Sequence, residues 1–314
     1  DGADEAKRQT IRQLSVVAMS FDRANAKIVE WADGQGMFKR AEYPALRVIS
    51  LGAGVQSTVM ALMAAHGEIG PMPDCAIFAD TGWEPQYVYN HLDWLMSDNV
   101  LPFPVHVVSN GNIRDDLLGD NQSKRKAYVP VFIKNPDGTS GMGKRQCTFD
   151  YKITPINWKI RDLLGVGRRG RIAKQSVELW IGISTDEAAR MKPAKQQWLS
   201  HHWPLIDSGM SRQDCLRWME KNAYPLPPKS SCIGCPFHND AAWREIKDNH
   251  PEEWADAIEV DRRIRLGPTK DGPLKGKEYL HASLKPLDEV DLDTAEDRGQ
   301  LNFFINECEG MCGV

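Results

Sequence analysis

No run of eighteen consecutive apolar residues occurs in the 314-residue chain, so no segment reads as a membrane-spanning helix. The first residues are charged and polar, without the apolar stretch of a secretion signal, and the expectation is a cytoplasmic protein. Cysteine is scarce: seven residues, an odd number, too few to brace a chain of this length with disulfides. They are expected to be thiols or metal ligands. Excess positive charge is missing too. A formal charge of −4 argues against a protein that holds nucleic acid by bulk electrostatics. Two local basic stretches remain, Arg168-Arg169-Gly170-Arg171 with Lys174 and Lys124-Arg125-Lys126, each read equally well as a solvated loop. There is no internal repeat.

What is present is ordinary globular material, 41% hydrophobic and 26% charged, enough for one large domain or a domain with an appended lobe. Residues 1–44 read as an N-terminal extension with a short strand at 15–19. Residues 45–215 read as a nucleotide-binding domain. Residues 216–314 read as a mainly helical region carrying a CxxC and a cysteine-containing tail. Apolar, β-branched runs at 47–51, 75–79, 105–108 and 177–183 alternate with helical patterns at 57–65 and 86–96. That alternation predicts an α/β, Rossmann-like parallel sheet wound with helices. Ligands of such sheets bind beyond the carboxyl ends of the strands. Residues 119–146 read as a long loop, residues 267–276 as a linker, and Trp218, Trp243 and Trp254 as core positions.

The first strand ends in Ser50-Leu51-Gly52-Ala53-Gly54-Val55-Gln56-Ser57-Thr58. Strand, glycine turn and helix together aim backbone N–H groups at an anion, and the helix dipole adds attraction. Ser57 and Thr58 add hydroxyl donors. No Lys precedes Ser57, so this is no Walker A loop, and the GxGxxG spacing is absent as well. The second strand ends in Phe78-Ala79-Asp80-Thr81-Gly82-Trp83-Glu84-Pro85, which sets the Asp80 carboxylate and a glycine turn where a sugar or base would lie.

These two strand ends resemble the PP-loop superfamily (adenine-nucleotide α-hydrolases), and within it the phosphoadenylyl-sulfate (PAPS) reductases. Gly54-Val55-Gln56 matches a Gly-Ile-Gln segment and Asp80-Thr81-Gly82 matches an Asp-Thr-Gly strand end; the likeness spans residues 45–240. ATP-pyrophosphatase members carry Asp in place of Gln56. The resemblance implies the α-hydrolase fold and ATP or another adenine nucleotide as ligand, with Mg as companion ion.

Cys232-Ile233-Gly234-Cys235-Pro236 reads three ways from the residues: a redox dithiol, a zinc knuckle or iron–sulfur ligands. The resemblance favours iron. Iron–sulfur adenylyl-sulfate reductases pair a Cys-Cys step, followed by Lys and Pro, with a distant CxxC. Here Cys147-Thr148 precedes Lys152 and Pro155, so the second cysteine of the step is replaced. That pattern is similar to the sulfur-inserting enzymes of DNA phosphorothioation. The implied cofactor is a 4Fe-4S cluster on Cys147, Cys232 and Cys235, with Cys312 or Cys308 of the tail as fourth ligand or as nucleophile. Lys152 is the implied anion-holding residue. Gly182–Arg190 resembles a reductase segment of which only Arg190 survives, Ser184 and Thr185 standing where arginines are expected. Cys75 and Cys215 read as packing residues, and His201, His202 and His238 either as polar loop histidines or as aids to proton transfer.

Three functions follow from the resemblance. The first is an enzyme that activates a nucleic acid or small molecule with ATP and inserts sulfur taken from a donor such as a cysteine desulfurase. The second is a sulfonucleotide reductase recycled by thioredoxin. The third is a non-catalytic nucleotide- and cluster-binding partner. A membrane partner is not expected, and a homodimer is left open.

Overall fold

A computed structural model describes residues 44–121, 126–266 and 276–293. They fall into two compact units, each discontinuous in sequence: 44–77, 93–106 and 162–228 in the first, and 78–92, 107–161 and 229–293 in the second. The expected extension at 1–44 (save its last residue), Lys124, Arg125, the linker up to residue 275 and both tail cysteines lie outside the described residues.

Eight strands are described: β1 (Leu46–Leu51), β2 (Cys75–Asp80), β3 (Val105–Ser109), β4 (Phe132–Lys134), β5 (Ser140–Met142), β6 (Val177–Ile181), β7 (Leu199–His202) and β8 (Lys277–Tyr279). The helices are α1 (Val55–Ala65), α2 (Gln86–Leu95), α3 (Ile113–Leu118), α4 (Thr154–Leu163), α5 (Pro204–Asp207), α6 (Arg212–Lys221), α7 (Asp240–Asn249) and α8 (Pro251–Arg265). Five strands make one sheet in the order β3-β2-β1-β6-β7. Leu46 pairs in parallel with Val177 and Leu179 with His201. This is the expected Rossmann-like α/β class. The continuous burial of β6, whose one charged residue, Glu178, accepts from Trp180 Nε1 at 2.7 Å, and the nearly continuous burial of β2 suit strands covered on both faces.

The chain winds away from β1 on one side and returns on the other at β6, so the strand order switches between β1 and β6. α1 is apolar nearly all round, with eight of its eleven residues buried, and packs against α5 and α6.

Residues 119–146 are not a plain loop. β4 and β5 form a hairpin, Phe132 facing Met142, and β4 also pairs with β8, Phe132 facing Tyr279. The strands are too short for an alternating pattern, and β8 is remote in sequence. The readable signal was Asp137-Gly138, a hairpin-turn dipeptide: Thr139 N–H donates to Asp137 Oδ1 at 2.9 Å and Asn135 N–H to the Thr139 carbonyl at 2.9 Å. The core of this second unit gathers Trp83, Ile113, Leu117, Tyr151, Trp243 and Val260 beside α8. Trp243 is fully buried and Trp254 partly so. Trp218 departs from its expected core position: half-buried, it donates from Nε1 to Glu68 at 2.9 Å and stacks on Tyr224. No helix among the described residues is long and apolar enough to cross a membrane.

Candidate functional site

In the first unit the loop from Gly52 to Thr58 stands at the switch point beyond β1 and β6. Ala53, fully buried, sits in the left-handed region at φ 55°, a conformation that costs an L-residue on the order of 1 kcal/mol. Gly54 begins α1 with no side-chain cap, so the first amides of the helix are not taken up by a capping side chain. Ser57 Oγ instead accepts from Gly52 N–H at 3.1 Å and folds the loop onto itself. A Cβ at Gly182 would lie 2.8 Å from Ser57 N, so the end of β6 touches the start of α1 as only glycine permits. Gln56 is held from both sides, its amide nitrogen donating to Ser184 at 3.4 Å and its oxygen accepting from Arg212 at 3.4 Å. Ser184 is fully buried. Arg190 pairs with Glu187 at 2.5 Å, on a 3-10 turn at Thr185–Arg190. Burial raises the Glu187 carboxyl above its ordinary range, against the pull of Arg190.

In the second unit the turn after β2 is stitched in place residue by residue. Asp80 Oδ1 accepts from Gly82 N–H at 2.7 Å and from the Tyr89 hydroxyl at 2.9 Å; burial and this carboxylate push the phenol well above its usual range. Asn112 caps α3 and donates to the Gly82 carbonyl at 2.9 Å. Thr81 was expected among the nucleotide residues. It is buried, and its hydroxyl donates to Glu84 Oε1 at 3.0 Å and lies 3.2 Å from Cys232 Sγ.

Thr81 thereby belongs to a partly open cavity. Cys147, Cys232, Cys235 and Lys152 all line it, together with Trp83, Thr148 and Arg145. None of the three cysteines is in a disulfide. Lys152 shares the cavity with Cys147 because residues Thr148–Ile153 form a π-helical turn, with Cys147 at its start. In an α-helix five residues would rotate the two side chains apart by about 140°; the wider i→i+5 turn brings them to one side. Pro155 accounts for the turn: it has no N–H for the Tyr151 carbonyl and its ring would strike it. Lys152 Nζ lies 3.9 Å from Glu84 Oε1, and Cys232 Sγ 3.7 Å from the same oxygen. Glu84 Oε2 is buried with no hydrogen-bond partner among the described residues.

Of the histidines, His202 is buried against Trp180 and pairs with Asp207 at 2.8 Å. His201, its pKa lowered by burial, meets the Lys192 carbonyl. His238 is buried, held neutral by desolvation with its pKa down to about 4, and its Nε2 donates to the Cys232 carbonyl at 3.0 Å. It braces the CxxC and carries no charge there. Cys75 and Cys215 are packing residues, and burial pushes the Cys215 thiol up to about 12. Trp83, Glu84, Thr148 and Arg145 were given no role from sequence. Arg145 lies over the Phe237 ring at 5.4 Å on the cavity wall, and only its nearness to Cys147 in the chain could have flagged it. The basic stretch Arg168–Lys174 is solvent-exposed for the most part.

In sequence, no protein family and no curated protein matches the chain. Among solved structures it is similar to phosphoadenylyl-sulfate (PAPS) reductase from Candida auris in its phosphate complex. The identity is 13%, over 66% of this chain and 87% of that one, with a TM-score of 0.37. At that level the α/β class rests on the sheet itself.

Proposed function

We propose that the chain is an adenine-nucleotide-dependent sulfur-transfer enzyme whose second unit holds an iron–sulfur cluster. The observation that supports this best is that Cys147 and the Cys232–Cys235 pair, far apart in sequence, line one cavity with Lys152. Three thiols in an apolar, partly enclosed space suit the soft ligand demand of iron–sulfur chemistry. No three His, Cys, Asp or Glu among the described residues are arranged to hold a metal ion. Thr148, which follows Cys147 where a second cysteine would be expected, also lines the cavity.

Cys147, Cys232 and Cys235 would hold the cluster there, and its iron would supply a binding place for sulfide. The chain's own residues would do the rest. Lys152 and Arg145 offset negative charge in the cavity, and Thr81 orients Cys232. The Gly52–Thr58 loop offers backbone amides at the start of α1 to nucleotide phosphates, the Thr58 side chain being buried and the Ser57 hydroxyl turned back onto the loop. In the overall reaction a substrate oxygen takes the adenylyl group from ATP and pyrophosphate leaves; sulfide then displaces AMP. Gln56, in place of the acidic residue of ATP pyrophosphatases, favours a second reading, reduction of a sulfonucleotide to sulfite.

Anaerobic purification followed by iron and labile-sulfide assay, then turnover with ATP or with adenylyl sulfates, separates the two. Pyrophosphate and AMP without sulfite supports sulfur transfer. Sulfite release sinks it in favour of the reductase, and a colourless zinc protein sinks both.

A further inference from the structure

We propose that Trp83 is the positioning residue that sets the path of the Cys232-Ile233-Gly234-Cys235 loop, and that Gly234 is glycine because the indole occupies the place of its side chain. A Cβ built at Gly234 would lie 2.0 Å from Trp83 Cη2 and 2.6 Å from Cζ3. No side chain fits those distances without moving the ring or the loop. The ring is not free to yield. It is 4% exposed, and its Nε1 donates to Asp256 Oδ2 at 2.7 Å. Arg114 holds Asp256 in turn, Nε and Nη2 both at 2.7 Å from Oδ1. Asn112, the cap of α3, fixes the Gly82 carbonyl one residue before the indole.

The backbone makes a second join, since Ile233 N–H donates to the Trp83 carbonyl at 2.9 Å. Thr81 at Cys232 Sγ makes a third. The loop is thereby pinned on both sides of Gly234: its first cysteine by Thr81 and by His238 at the carbonyl, its middle by Trp83. Cys235 closes the turn with its N–H on the Cys232 carbonyl at 3.0 Å. Between these pins the path of the loop from Cys232 to Cys235 is set at Gly234 by the indole. Trp83 touches neither sulfur by hydrogen bond and acts through Gly234.

In its consequence for metal binding this inference rests on the cluster reading; in its consequence for the thiols it stands alone. The test uses the full chain as wild type, Gly234→Ala, Trp83→Leu and the double variant. One readout is the rate of iron loss to a chelator. The other is alkylation of Cys232 and Cys235 by iodoacetamide in the iron-free chain, with buried Cys215 as internal control. Gly234→Ala is expected to speed iron loss about tenfold, the effect typical of groups that orient metal ligands. It should also change alkylation of both loop thiols several-fold. Trp83→Leu vacates the space, so the double variant should return toward wild type in both readouts.

Gly234→Ala behaving as wild type overturns the proposal, and so do losses that simply add. A change in Tm with unchanged thiol alkylation overturns it too, because Trp83 would then be packing alone. A wild type without iron sinks the cluster reading and leaves alkylation to decide. Should Gly234→Ala fail to fold, a folded double variant supports the proposal; an unfolded one beside folded Trp83→Leu overturns it.

Discussion

The phosphate-type loop of the first unit and the cysteine cavity of the second are built by different means. The loop is one continuous stretch, Gly52 to Thr58, shaped by its own backbone, by the close approach of Gly182 and by the bonds of Gln56 to Ser184 and Arg212. The cavity is drawn from separate segments around Thr81, Arg145, Lys152 and Cys235, and is braced from α8 through Asp256. A continuous motif carries its geometry in its spacing. An assembled cavity depends on every segment that delivers a wall, so distant changes can reach it.

The largest effects should come from breaking one region and leaving the other. Cys147→Ser is expected to abolish bound iron and labile sulfide while nucleotide affinity, read by calorimetry, stays at the wild-type value. Gly182→Ala should do the reverse. Its Cβ meets Ser57 N at 2.8 Å and displaces the start of α1. Overpacking of that kind costs about 1–3 kcal/mol, which, if it falls on the bound loop, is about fivefold to 150-fold in nucleotide affinity. Iron content should not change. If both variants lose both properties, the two regions are not separable and the contrast fails.

The legibility of the molecule follows the same division. β1, β2 and the loop after β1 were readable because β-branched runs ending in glycine report backbone geometry directly. Cys147, Cys232 and Cys235 were readable by residue type, although only the fold brings them to one cavity. Thr148 is marked in the sequence only as the residue in place of a second cysteine, and Trp83 gave no signal, since tryptophan has no chemistry that singles it out. Thr81 reads from the sequence as a nucleotide-binding residue, and the structure adds a contact with Cys232 to that reading. Its place in the Asp80-Thr81-Gly82 strand end says nothing of which way the hydroxyl turns, and it turns to Cys232. The β4–β8 pairing was hidden for a topological reason: strands of three residues joined across a long separation have no local period.

A smaller effect probes the charge inside the cavity. Lys152→Met leaves Glu84, whose side chain is 2% exposed, buried without its nearby cation. Breaking a buried pair costs several kcal/mol at best geometry, and at 3.9 Å the expected loss is about 2 kcal/mol in urea unfolding of the iron-free chain. Glu84→Gln on top should recover part of it, because the amide needs no counter-charge. Simple addition of the two losses would mean that Lys152 and Glu84 are neighbours without being coupled.

The smallest effect concerns acid. His91 on α2 is 7% exposed, and burial alone lowers its pKa from 6.5 to about 4. The unfolded chain therefore takes up the proton first as the pH falls. The contribution of this residue to stability is intact above pH 6.5, declines below it, and levels off once the folded form titrates near 4. Denaturation midpoints measured from pH 7 downward should show that decline, with a slope no steeper than one proton from this residue. His91→Gln should flatten it by that one proton and leave the upper end unchanged. Iron retention by the cysteine cavity should follow the same curve only if α2 loosens together with the Asp80–Glu84 turn that precedes it. A decline in stability with iron retention unmoved would confine the effect to the helix and make the cavity walls the more rigid part of their unit.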